Sequence, residues 1–140
     1  MIAENLTLSK SLVLQPSDGF APRLAPGFGI SGTSSGGAFY SVVVRRLALT
    51  DARVVLTHAG SGSTHLEVRG LTIASTNSTA PAGIRVSASL SGAAGIRIAE
   101  NRLRVAVPSL FDAAIEVEYQ GSSGSALVDC LFGGRRWSVT

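Results

Sequence analysis

This sequence of 140 residues is poor in four things: cysteine, lysine, aromatic rings and charge. The single cysteine, Cys130, excludes an internal disulfide framework and leaves the redox compartment open. Charged residues make up 15% against 45% hydrophobic, and mean hydropathy is +0.33, which excludes intrinsic disorder and a long coiled coil. Aromatics are 6%, too few for a platform on which single-stranded nucleic acid would stack. The longest stretch without charge, residues 24–44, is broken by Pro26 and by many Gly and Ser, so no transmembrane helix and no membrane partner are expected. No basic segment followed by an apolar block opens the chain, so no signal peptide is expected. Localisation stays open.

The basic excess is modest: 12 basic against 9 acidic residues, net +3. All the basic residues but Lys10 are arginine, scattered along the chain, with Arg45-Arg46 and Arg135-Arg136 the adjacent pairs. Nucleic-acid binders gather such residues on one face among aromatics, so no nucleic-acid partner is expected. The length suits one domain, residues 1–140.

What the sequence does have is short alternation. Leu6-Thr7-Leu8, Leu12-Val13-Leu14, Leu66-Glu67-Val68, Ile84-Arg85-Val86, Ile96-Arg97-Ile98 and Ile115-Glu116-Val117 each read apolar, other, apolar. Period-2 runs rich in β-branched residues make strands with one buried face, and Gly, Ser, Asn and Pro clusters between them make turns. Helical periodicity is missing, so an all-β chain is expected.

The strands also keep a register. One column reads Leu6, Ile30, Val54, Ile84, Ile115 and Val139, in steps of 24, 24, 30, 31 and 24. A second reads Leu14, Val44, Val68, Ile98 and Leu127, and a third, five residues later, reads Leu49, Ile73, Leu103 and Phe132. An antiparallel sandwich needs no such repeat, whereas a solenoid does and accepts insertions in its loops. The expected fold is a single-stranded parallel β-helix (solenoid) of about five coils.

The segments Leu66 to Ile73, Gly95 to Leu103 and Leu127 to Phe132, with the opening Asn5 to Leu14 and Gly29-Ile30, resemble the rungs of right-handed parallel β-helix proteins, the pectin-lyase-like superfamily. The resemblance spans nearly the whole chain and concerns scaffold. It implies the right hand of the coil and assigns no reaction. Polysaccharide lyases of that superfamily set a basic residue beside carboxylate-bound calcium, and its galacturonan hydrolases use a group of Asp residues. The runs Asn-Thr-Asp, Asp-Asp, Gly-His-Gly and Arg-X-Pro-X-X-Arg are missing here, which counts against both chemistries. Enzymes of this kind are more than twice as long and begin with a capping helix, which this sequence lacks.

In a parallel ladder equivalent side chains stack about 4.8 Å apart. The register places Glu67 under Arg97 and Arg85 under Glu116, opposite charges on exposed faces. The ends show no capping helix, and open β-edges invite pairing, so a homo-oligomer joined through uncapped coil ends is expected, unless the chain is part of a longer solenoid.

For chemistry, the candidates are Glu100 and Asp129, each two residues past a second-column position. Stacked one coil apart, their carboxyls would lie roughly 5–6 Å apart, a spacing used by glycosidases. They would equally suit a hard cation. Solvated turn residues are the favoured reading, because Arg46 and Gly70 hold the lower positions of that column. Arg69, Arg85 and Arg97 are the candidate binding residues. His58 and His65 flank a Gly-Ser loop without Cys or acidic neighbours and read as surface histidines; no metal site and no cofactor are expected. Cys130 reads as a small buried apolar group and Asn101 as the start of an Asn ladder without visible partners. Trp137 reads as a plug for the last coil or as an exposed contact. Asn5-Leu6-Thr7 and Asn77-Ser78-Thr79 fit the glycosylation pattern.

Two functions follow as expectations. The first is a non-catalytic binding or structural module whose flat faces meet a carbohydrate or protein. The alternative is a carbohydrate-active enzyme, lyase or hydrolase, holding an acidic polysaccharide on Arg69, Arg85 or Arg97.

Overall fold

The computed structural model describes residues 1–76, 82–90, 93–105, 115–120, 123–132 and 135–139, the last two spans through their backbone. Asn77, Ser78 and Thr79 lie outside the described residues. The described chain is all-β and builds parallel sheets. Its strands are β1 (Leu6–Leu8), β2 (Leu12–Leu14), β3 (Ile30–Ser35), β4 (Tyr40–Arg45), β5 (Ala48–Thr50), β6 (Arg53–Gly60), β7 (Thr64–Arg69), β8 (Thr72–Ser75), β9 (Gly83–Leu90), β10 (Ala93–Val105), β11 (Ile115–Gln120), β12 (Ser123–Phe132) and β13 (Arg135–Val139).

Five strands pair in the order β1-β3-β6-β9-β11, parallel throughout. Their register sets Leu6, Ile30, Val54, Ile84 and Ile115 side by side, the first sequence column up to its last member. The larger sheet runs β2-β4-β7-β10-β12-β13, with β5 and β8 pairing beside the second half of β10. There Leu49, Ile73, Leu103 and Phe132 align as the third column requires.

The inward rows meet in one core. Val42, Val44, Val54, Leu56, Leu66, Val68, Val86 and Ile98 are wholly buried, each stabilising by about 1.5–3 kcal/mol. Tyr40 enters this core on β4, where its hydroxyl donates to the Leu8 carbonyl at 2.9 Å and its ring stacks on His58 at 5.7 Å. His58 is therefore fully buried on β6, correcting its reading as a surface histidine; His65 on β7 is partly exposed.

Two columns need correction. Val139 does not join Ile115: β13 returns antiparallel along β12, with Val139 opposite Val128. Only two residues separate Phe132 from Arg135, a hairpin length, whereas a parallel crossover needs a dozen or more. In the second column Val128, not Leu127, stands opposite Ile98. The cause is a bulge at Glu100: Ala99 pairs with Asp129 and Asn101 with Cys130, so β10 spends one residue more than β12 and the third column stays aligned.

Candidate functional site

Bends of one kind recur between the strand runs of the larger sheet. Arg46, Gly70 and Glu100 have φ of 54°, 67° and 59°, and each follows an extended run on β4, β7 or β10. Glycine takes this left-handed conformation freely, while arginine and glutamate take it at a cost of about 1–2 kcal/mol. Stacked bends of this sort turn the backbone in concert and bring the charged side chains around them together.

The bend at Gly70 is braced from its neighbour. Asn101, wholly buried, donates through Nδ2 to the Val68 carbonyl and accepts the Leu71 amide on Oδ1, both at 2.9 Å. Its partners are backbone groups on either side of the bend, not an asparagine in the next strand. Asp51, itself at φ 52°, works similarly in accepting the Thr76 amide at 2.7 Å, and Asn5 accepts the Gly29 amide at 2.8 Å.

On the outward face, Arg69 grips Glu100 with two bonds, Nε to Oε2 at 2.9 Å and Nη2 to Oε1 at 2.7 Å. That hydrogen bonding, with the carboxylate charge, holds the Arg69 guanidinium above its already high range. One strand away, Arg45 donates from Nε to Glu67 Oε1 at 3.1 Å, and His65 Nε2 lies 3.6 Å from Glu67 Oε2. Glu67 is only 4% exposed, so it is a buried carboxylate rather than the exposed one the alternation suggests. Arg46 extends towards the Pro16 carbonyl at 3.4 Å and Asp18 at 3.5 Å. Gln15, Arg45, Arg46, Arg69, Gly70 and Glu100 together line a shallow recess of about 250 Å³.

The sequence candidates divide. Arg69 and Glu100 are brought into direct contact in this recess. Arg97 faces Glu67 in register, as expected, yet the ion pairs of Glu67 are with Arg45 and His65, and Arg97 Nε meets no partner among the described residues. Arg85 lies on the five-stranded sheet, paired with Glu116 at 3.4 Å, far from this arrangement in the strand order. Asp129 stands opposite Ala99 rather than Glu100, because Glu100 is the extra residue of the bulge. The side chains of Asp129, Cys130 and Trp137 lie outside the described residues.

Arg45, Arg46, Gln15 and Glu67 were not among the sequence candidates. A signal for one of them exists: Arg45 precedes Arg69 by the same 24 residues that separate Val44 from Val68, and the strands set the two arginines directly opposite. Nothing in the alternation marks Glu67 as buried. No group of three or more His, Cys, Asp or Glu able to hold a metal occurs among the described residues.

Compared with protein-family models, curated proteins and solved structures, the chain matches none.

Proposed function

We propose that the chain is a right-handed parallel β-helix of about five coils, of pectin-lyase-like type, that serves as a non-catalytic module binding an extended carbohydrate on the outer face of its larger sheet. The parallel ladders and their steps of 24 to 31 residues support the winding. The observation that carries the function is the state of Glu100: both its oxygens are engaged by Arg69, which leaves it a structural anion and not an acid or base aimed at a substrate. The surrounding recess is shallow and lined from successive strand ends at their bends, a form suited to a polymer lying across them rather than a small molecule enclosed. A second copy adding strands at the outer edges of β1 and β11 fits the same reading.

Isothermal titration against a panel of neutral and acidic polysaccharides, with product analysis of the same mixtures, tests it. The expected result is retention of at least one polymer with its chain length unchanged. Shortened or unsaturated products that vanish in Glu100→Ala and Asp129→Ala would overturn the proposal in favour of a lyase or hydrolase.

A further inference from the structure

Arg45 and Arg69 are directly opposite on adjacent parallel strands. Like charges so placed repel one another, and a folded chain tolerates the arrangement when anions neutralise it. Two carboxylates do part of this. Arg69 turns to Glu100 and Arg45 turns through Nε to Glu67, so the two guanidinium groups lean to different partners. The terminal amino groups of Arg45 meet no partner among the described residues. The Arg46 side chain, at the adjoining bend, makes only its two long contacts among the described residues, and the Asp18 side chain in one of them is fully exposed. Such a contact is screened by solvent and yields readily to another anion.

We infer that this recess takes a sulfate ester on the bound carbohydrate, with Arg45 and Arg46 as its principal donors and Arg69 held beside them by Glu100. This rests on the carbohydrate-binding reading above and names the group recognised. Charge and shape select it. Once the fully exposed Asp18 gives way at Arg46, three guanidinium groups against Glu67 and Glu100 leave one positive charge, the complement of a singly charged sulfate ester; a phosphate monoester carries about −1.5 to −2 at neutral pH. A sugar carboxylate also has one charge, but its two oxygens are satisfied by one guanidinium, as Glu100 already is by Arg69. A sulfate ester presents three terminal oxygens, enough for donors from both Arg45 and Arg46. Gln15 on the rim supplies an amide suited to a neighbouring sugar hydroxyl.

The test is titration of the full chain at physiological ionic strength with dextran sulfate, polygalacturonate and unsubstituted dextran. Dextran sulfate is expected to bind at least about tenfold more tightly than polygalacturonate. The double variant Arg45→Ala/Arg46→Ala is expected to weaken dextran sulfate binding at least about tenfold. A second double variant, Lys10→Ala/Arg53→Ala, removes the same charge from positions outside the larger sheet and is expected to change binding by less than about twofold. Circular dichroism and thermal unfolding of both variants establish that they fold. Equal losses in the two variants would overturn the inference, showing attraction to the basic surface as a whole. Polygalacturonate binding as tightly as dextran sulfate would overturn the sulfate preference and leave the binding module standing. Failure of all three polymers to bind would remove the inference, while a neutral or acidic polymer retained in the wider panel would still uphold the module.

Discussion

The two sheets present different outer faces, though both are built on parallel ladders, β13 apart, and share one core. On the five-stranded sheet the outward rows are Thr7, Ser31, Val55, Arg85, Glu116 and Thr33, Thr57, Ser87, Glu118: hydroxyls, one valine, one described ion pair and a further carboxylate. On the larger sheet the rows include Val43, Glu67, Arg97 and Arg45, Arg69, Ala99, ending at bends with positive φ. Strands that run straight give a flat face of small side chains. Strands that end at a left-handed bend crowd charges from three successive runs into one place. The same Arg–Glu chemistry then has different weight: the Glu116 side chain is 48% exposed, that of Glu67 5%.

The largest effect is expected at the brace beneath the bend. Asn101→Ala leaves the Val68 carbonyl and the Leu71 amide without their buried partner, and unsatisfied groups of this kind cost about 2–4 kcal/mol together. Urea unfolding should show that loss; a change within error would mean the bends hold without the brace.

A smaller, pH-dependent effect is expected at Tyr40. Burial pushes its phenol above the ordinary value of 10.0. The folded protein then holds this proton more tightly than the unfolded chain, so the contribution is complete below pH 10.0 and is lost as pH rises through and beyond it. Tyr40→Phe removes the bond to Leu8 at a cost of about 1 kcal/mol at neutral pH, and the gap to the native protein should close in alkaline unfolding experiments.

The smallest effect is expected on the flat face. A double-mutant cycle on Arg85 and Glu116 should give a coupling of about 0.2–1 kcal/mol, falling with added salt. A coupling as large as the Asn101 effect would erase the contrast between the sheets.

Much of the scaffold was legible because alternation and spacing record burial and register directly. The columns through Val54 and Leu49 were placed from the sequence alone, since each inward aliphatic repeats at the step of its strand. The column through Ile98 slipped by one residue at its last step because a bulge at Glu100 is a backbone event that leaves no mark in an apolar pattern. Val139 was misplaced because spacing does not record strand direction. Of the site, Arg69 and Glu100 were chosen, but for roles apart; their contact follows from side chains reaching across strands. His58 was read as exposed for its Gly-rich surroundings, although its place two residues past Leu56 on β6 points it inward.

The parallel register itself is tested most directly by disulfide trapping. In a Cys130→Ala background, Thr57→Cys with Ser87→Cys places two thiols on directly opposite outward positions of β6 and β9. Neighbouring strands about 4.8 Å apart fall within the Cα separation that disulfides accept. Oxidation should link this pair rapidly and leave Thr57→Cys with Ser89→Cys, two positions along the strand, largely reduced. Faster linkage of the second pair, or none in the first, would contradict the register on which the recess depends.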